Sequence, residues 1–127
     1  MIRLKDVNKT YAKGKVHAVN ALDLEVASGE LFGFLGPNGA GKTTTIKLII
    51  GLLKPDSGTI LVNGLDINRE PLAVKRGLAY VPDEPLLYEK MTGFKYLRFI
   101  ADIFELDSEQ RKRSVDLAAD FAMTDAL

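Results

Sequence analysis

The chain of 127 residues is 46% hydrophobic and 27% charged, a balance that excludes a disordered protein. Its 17 basic residues equal its 17 acidic ones, so no net field attracts nucleic acid or anionic lipid. The chain has no cysteine and no secretory signal pattern, which excludes disulfides and thiolate metal sites and favours a cytoplasmic location.

The first part of the chain is predicted to form strands and one helix around a glycine-rich loop. Ile2 to Val7 are read as an extended segment, and Ala18 to Val26 alternate apolar and polar residues as a strand does. Leu31 to Leu35 form a short apolar run that predicts a strand buried on both faces. A helical pattern begins at Lys42, and the stretch Lys54 to Gly58 ends it through proline and glycine. The apolar residues of that helix are predicted to share one side: Ile46, Ile49, Ile50 and Leu53.

A hairpin, a short helix and another strand are predicted next. Thr59 to Val62 is read as a strand that ends in a tight turn at Asn63-Gly64. Pro71 to Arg76 is read as a helix entered through proline. Gly77 to Val81 is a second candidate for a buried strand.

The last part is predicted to be helical, with a boundary near residue 83. One helix runs from Gly93 to Glu105 behind the N-cap Thr92, and another from Ser108 to Ala122 behind Asp107. The first is apolar around most of its circumference, which predicts either packing on several sides within its own domain or a partner surface. Its polar stripe consists of Lys95, Arg98, Asp102 and Glu105.

The glycine-rich loop carries the chemistry. The segment from Gly36 to Thr43 satisfies the pattern G-x-x-x-x-G-K-[S/T], in which glycines let successive backbone amides turn inward around a phosphate. The following helix adds its unpaired amides and its positive dipole end. Lys42 supplies a cation for the β and γ phosphates, Thr43 a hydroxyl for Mg²⁺, and Thr44 a further hydroxyl. We therefore predict a nucleotide site at Gly36, Pro37, Asn38, Gly39, Ala40, Gly41, Lys42, Thr43 and Thr44; the alternative is a turn that only caps a helix.

Four stretches together resemble the nucleotide-binding domain of ABC transporters. They read GPNGAGKTT from Gly36, SGTILVNGLDI from Ser57, KTYAKGKVHAVNALDLEVASGE from Lys9 and YVPDEPLLYEKMTG from Tyr80. The similarity covers essentially the whole chain and is nearest to the bacterial branch that serves export-type and ABC-2-type permeases. It implies an α/β fold: a P-loop NTPase core of the ABC ATPase type with an antiparallel β-subdomain over residues 1–82, and the Q-loop region with the start of a helical subdomain over residues 83–127. The domain is expected to be incomplete.

The resemblance also implies a base site. Tyr11 matches the aromatic residue that stacks on adenine in this family, and Val16 is expected to add an apolar contact. Stacking accepts any purine face, so nucleotide selectivity is expected to be loose. The alternative is an ordinary surface tyrosine near a turn.

Asp83 occupies the position where the family's Q-loop has a glutamine. Aspartate offers a hard oxygen that suits Mg²⁺, directly or through water, and the alternatives are a hinge or a solvated loop carboxylate. Glu84 is an ambiguous neighbour. By the same analogy Leu86, Leu87 and Tyr88 lie near a transporter interface, although core packing is a simpler explanation for at least one of them.

Three parts of the family's catalytic machinery are not found in the sequence. The single histidine, His17, precedes the loop; no LSGGQ-like signature occurs, and no acidic residue follows an apolar Walker B strand. No catalytic residue is therefore assigned, and the 127 residues alone are expected not to hydrolyse ATP.

The leading hypothesis is the ATP-binding part of an ABC transporter energising subunit that uses ATP and Mg²⁺. Its expected partners are a second ATP-binding subunit in a head-to-tail dimer and a transmembrane permease that holds it at the inner face of the cell membrane. No nucleic acid partner is expected, and no run approaches the roughly 20 apolar residues of a membrane span. The alternative is an ATP-binding or regulatory module without turnover. A GTPase or small-molecule kinase is a weaker hypothesis, because no N-K-x-D or D-x-x-G segment follows the loop.

Overall fold

The computed structural model describes residues 1–12, 14–83 and 91–120. Contacts divide the chain into a first unit, Met1–Tyr80, and a second unit, Val81–Leu127. The boundary predicted near residue 83 lies close to this division, and the roles assigned to the two parts stay predictions. Within the described ranges no helix combines the length and apolarity needed to cross a bilayer.

The first unit is built on a four-stranded antiparallel sheet. Strands β1 (Ile2–Tyr11), β2 (Val16–Val26), β3 (Ser57–Val62) and β4 (Leu65–Asp66) lie in the order β2-β1-β3-β4. The predicted strands at the start of the chain, at Ala18 to Val26 and at Thr59 to Val62 are thereby confirmed. The turn at Asn63-Gly64 is confirmed as well, because both residues have the positive φ of a tight hairpin turn, 51° and 84°.

Helices α1 (Lys42–Ile49) and α2 (Pro71–Arg76) complete the first unit. The short helix entered through Pro71 is confirmed. The helix from Lys42 ends earlier than its apolar pattern predicts, because Gly51 adopts a φ of 69° and the amides of Leu52 and Leu53 turn back to the Lys47 carbonyl. Leu48, rather than Ile46, is its central buried residue. The core consists of Leu4, Val7, Val19, Leu48, Ile60, Val62, Ile67 and Val74.

The two predicted buried strands are wrong. Residues 31–35 and 77–81 have no regular secondary structure, and the side chains of Leu31, Leu35 and Val81 are 101%, 94% and 87% exposed. A strand that is buried on both faces needs neighbouring strands and covering helices. The described residues form no strand pairing at these two segments, so most of their apolar side chains face solvent, while Phe34 and Leu78 are half-buried.

The second unit contains helices α3 (Gly93–Ile103) and α4 (Ser108–Asp120). Both predicted caps are confirmed: Thr92 Oγ1 accepts from the Lys95 amide, and Asp107 Oδ1 accepts from the Gln110 amide. Helix α3 ends two residues before the predicted Glu105, which adopts a φ of 53°. Phe94, Ile103 and Phe104 are exposed, and Ala101 is buried. The predicted end of α4 at Ala122 lies outside the described residues.

Candidate nucleotide-binding site

The loop of residues 36–41 enters helix α1 through two glycines in left-handed conformations. Gly39 has a φ of 84°, and Gly41, the N-cap residue of α1, has a φ of 82°. No side chain caps this helix in the part of the chain that the structure describes, and no acidic residue lies in its first turn. The amides at the start of α1 are therefore available to an anion, and the phosphate role predicted for them stays a prediction.

Close packing fixes the position of the loop on the sheet. A methyl group at Gly41 would overlap the carbonyl oxygen of Ala18 in β2, whereas a methyl group at Gly39 would meet open space. The backbone of the loop thus rests directly on the second strand at Gly41. Ala18 has no signal in the sequence, because its backbone rather than its side chain makes this contact.

The side chain of Lys42 reaches back across the loop. Its Nζ donates to the carbonyl oxygens of Gly36 at 2.5 Å and of Pro37 at 2.7 Å. None of the carboxylates in the described residues forms a salt bridge with it. The ammonium therefore lies at the loop with its charge uncompensated, which is the arrangement that attracts an anionic ligand.

The three threonines after Lys42 differ in their availability. Thr45 is buried, and its hydroxyl donates to the Gly41 carbonyl oxygen at 3.0 Å. Thr43 is exposed and Thr44 is half-buried. Among the described residues the hydroxyls of Thr43 and Thr44 have no hydrogen-bond partner, and the ligand roles suggested for them stay predictions.

The residues fit a magnesium ion only together with a phosphate ligand. Mg²⁺ prefers oxygen ligands and commonly combines one or two protein groups with phosphate oxygens and waters. Among residues 1–12, 14–83 and 91–120, no group of three histidine, cysteine, aspartate or glutamate side chains is arranged to hold a metal. The exposed hydroxyl of Thr43 is the group of the first unit that suits this shared coordination.

Asp83 is exposed and belongs to the second unit. Its suggested role beside the metal stays a prediction. Glu84, Leu86, Leu87 and Tyr88 lie outside the described residues.

Tyr11 and Val16 form the last cross-strand pair of the β1–β2 hairpin. Their side chains are 40% and 53% exposed, so the hairpin tip presents an aromatic ring beside an apolar side chain. A turn closed by a hydrogen bond from the Lys15 amide to the Ala12 carbonyl oxygen joins the two strands. The exposed pair has the character that stacking on a purine requires.

A cavity of about 370 Å³ lies between β2 and the phosphate loop. Residues 17–20 of β2 form one wall, and Gly39, Ala40 and Thr45 form another. His17, which sequence reasoning leaves without a role, therefore lines a cavity beside the loop. Its position one residue after Val16 is the only signal in the sequence.

The chain is similar in sequence to known proteins over most of its length. The family model described as ABC transporter matches residues 19–126. The doxorubicin resistance ATP-binding protein DrrA of Mycobacterium tuberculosis is 35% identical over 121 residues, which cover 94% of this chain and 37% of that protein. The chain thus spans about a third of the length of such curated relatives.

Solved structures share the fold. The structure of an ATP-binding subunit of an ABC transporter matches with a TM-score of 0.88 and 34% identity, over all of this chain and 52% of that one. A dimeric ATP-binding cassette in a post-hydrolysis state, bound to ADP and Pi, matches with a TM-score of 0.76 and 26% identity, over 91% of this chain and 55% of that one. The α/β architecture with its antiparallel sheet is therefore that of part of an ABC ATPase cassette.

Proposed function

The chain belongs to the ABC transporter family, and from this premise we propose that it is the ATP-binding part of an energising subunit that couples ATP hydrolysis to solute transport, in the direction of export. The observation that carries the proposal is the loop that enters α1 through Gly39 and Gly41, with the ammonium of Lys42 held at its first carbonyl groups. The direction is supported by the name of the relative from Mycobacterium tuberculosis, a drug resistance protein.

Each part of the nucleotide has a proposed contact. Tyr11 stacks on the base, with Val16 beside it. The backbone amides between Gly39 and Thr44 donate to the phosphate oxygens, and Lys42 neutralises charge on the β and γ phosphates. When Mg²⁺ is bound with the nucleotide, it neutralises further phosphate charge, and Thr43 offers it a hydroxyl. Asp83 is proposed as an additional ligand on the metal side.

Hydrolysis of ATP requires more than the contacts that bind it. Hydrolysis depends on a positioned water and on groups that stabilise the transferring phosphoryl, and the residues described above do not include a base for that water. The alternative is therefore an ATP-binding or regulatory module. Release of phosphate by the purified chain, compared with Lys42→Ala, separates the two: release above that of the variant supports the ATPase, and equal background release supports the module.

We propose two partners, a second ATP-binding subunit and a transmembrane permease. The first is supported by the dimeric state of the solved cassette. The second follows from the proposed coupling, because movement of a solute across a membrane needs a path through it. A permease would place the subunit on the cytoplasmic face of the membrane.

Replacing Tyr11 with alanine tests the base site. We expect Tyr11→Ala to weaken MgATP binding by about tenfold, because one stacked base contributes about 1–3 kcal/mol, whereas Tyr11→Phe keeps the ring and binds within about twofold of the unchanged chain. Affinities are measured by titration calorimetry.

The same titrations include GTP and inorganic tripolyphosphate. Stacking tolerates either purine, so we expect ATP and GTP to bind similarly. Tripolyphosphate has no base, so we expect its affinity not to change when the Tyr11 ring is removed. Strong preference for one purine, or equal weakening of ATP and tripolyphosphate in Tyr11→Ala, would contradict the stacking role.

A further inference from the structure

The carboxylate of Asp56 accepts hydrogen bonds from residues at the end of strand β1. Its Oδ1 accepts from Lys9 Nζ at 2.7 Å, and its Oδ2 accepts from the Thr10 amide at 2.6 Å and from Thr10 Oγ1 at 2.8 Å. Lys9 and Thr10 directly precede Tyr11, the last residue of the strand. One side chain thus receives three hydrogen bonds from the two residues before the proposed base contact.

The carboxylate of Asp56 acts as a hydrogen-bond acceptor where the pairing of β1 with β3 has ended. Pairing between β1 and β3 ends at Asn8 and Ser57, so β3 offers no partner to the Thr10 amide. Asp56, one residue before β3, supplies an acceptor at that place. The hydrogen bonds from Lys9 and from Thr10 lower the pKa of Asp56 from its usual 3.8 to about 2. These hydrogen bonds favour the charged carboxylate and are therefore charge-assisted.

Asp56 also connects this strand end to the phosphate-loop helix. It lies in the segment between α1, which begins at Lys42, and β3. Leu48 fixes α1 in the same core as Val7 of β1. Through Asp56 the segment that follows α1 is joined to the end of β1 by polar contacts, in addition to the core that α1 and β1 share.

From these contacts we propose that Asp56 is a positioning residue that holds the end of β1, and with it the Tyr11 ring, in the place where the ring meets the base. The inference rests on the proposed function, because it needs Tyr11 to meet the base. Other groups hold the strand upstream: Asn8 Nδ2 donates to Ser57 Oγ at 3.0 Å, and Asn8 Oδ1 accepts from the Ala21 amide at 2.7 Å. Loss of the Asp56 carboxylate therefore loosens only the last residues of β1, which stay paired with β2 on their other side.

The test compares Asp56→Asn with the unchanged chain on two ligands, MgATP and magnesium tripolyphosphate. We expect MgATP affinity to fall by about tenfold, the scale of one stacked base. Affinity for tripolyphosphate, which does not reach Tyr11, stays within about twofold, because the phosphate loop is intact. Thr10→Val, which removes one of the three donors, is expected to show the same selectivity with a smaller loss.

Asp66→Asn is the matched control. Asp66 likewise accepts a backbone hydrogen bond, from the Asn68 amide at 2.8 Å, but it lies in β4 at the opposite edge of the sheet from β2. We expect this variant to bind both ligands as the unchanged chain does. In the Tyr11→Ala background, Asp56→Asn should cause no additional loss, because a positioning residue acts through the ring that it positions.

Three results would overturn the inference. They are unchanged MgATP affinity in Asp56→Asn, equal weakening of both ligands, and a further loss in the absence of the Tyr11 ring. Failure of the unchanged chain to bind MgATP would instead reject the proposed function itself. The two failures are thus distinguishable in one set of titrations.

Discussion

Lys42→Ala is expected to weaken MgATP binding by about a hundredfold, or roughly 3 kcal/mol, the scale of charge-assisted hydrogen bonds to a phosphate. Lys42 lies at the loop with its Nζ 2.5 Å from the Gly36 carbonyl oxygen and 2.7 Å from that of Pro37. The substitution removes the cation that balances the phosphates and leaves the backbone of the loop in place. Titration calorimetry of the variant measures the loss.

Lys47→Ala is the control for this variant. Lys47 lies on the same helix, is exposed and is one turn further from the loop, so its removal lowers the net charge equally without touching the site. We expect its affinity for MgATP to remain within about twofold, because a solvated charge at this distance is largely screened by salt. Similar losses in the two variants would show that general charge, not the position of Lys42, governs binding.

Gly41→Ala is expected to abolish nucleotide binding and to lower the midpoint of thermal unfolding. A left-handed conformation costs a non-glycine residue about 1–2 kcal/mol, and the φ of Gly41 is 82°. The added methyl group would also overlap the Ala18 carbonyl oxygen, which belongs to backbone and cannot rotate away. The loop must therefore move off β2, and its amides lose their inward arrangement.

Gly39→Ala separates the cost of a left-handed backbone conformation from the cost of steric overlap with Ala18. Gly39 has nearly the same φ, 84°, but a methyl group there meets open space. We expect this variant to lose only the conformational term of about 1–2 kcal/mol in the free energy of unfolding and to keep measurable MgATP binding. If Gly41→Ala unfolds and binds no differently from Gly39→Ala, the contact between the loop and Ala18 does not hold the site together.

Local patterns predicted much of the fold because their physics is local. The proline before α2, the turn at Asn63-Gly64 and the cap at Thr92 each act within a few residues, and the structure contains all three. The left-handed glycines of the loop from Gly36 to Thr43 belong to the same class, whereas the position of the loop on the sheet depends on the distant Ala18.

Patterns that depend on distant partners were less informative. The apolar run Leu31 to Leu35 predicts a strand, but hydrophobicity cannot say whether neighbouring strands are present, and the structure leaves this run unpaired. Helix α1 ends early because Gly51 adopts a positive φ. The apolar pattern continues through Gly51 and therefore does not predict this end.

Two contacts on which the proposals rest had no usable signal in the sequence. Ala18 contributes a carbonyl oxygen, which every residue has. Asp56 contributes a carboxylate to a strand that lies almost fifty positions earlier, a pairing that sequence spacing alone does not reveal. Both become visible only when the sheet brings these segments together.

In the proposed function the backbone amides around the phosphate loop hold a triphosphate. Amide chemical shifts of the ¹⁵N-labelled chain, followed during titration with MgATP, test it most directly. We expect the largest saturable shifts at Gly39 to Thr44, with smaller shifts at Tyr11 and Val16, and we expect inorganic tripolyphosphate to reproduce only the first group. Saturable shifts confined to other parts of the chain, or none at all, would contradict it.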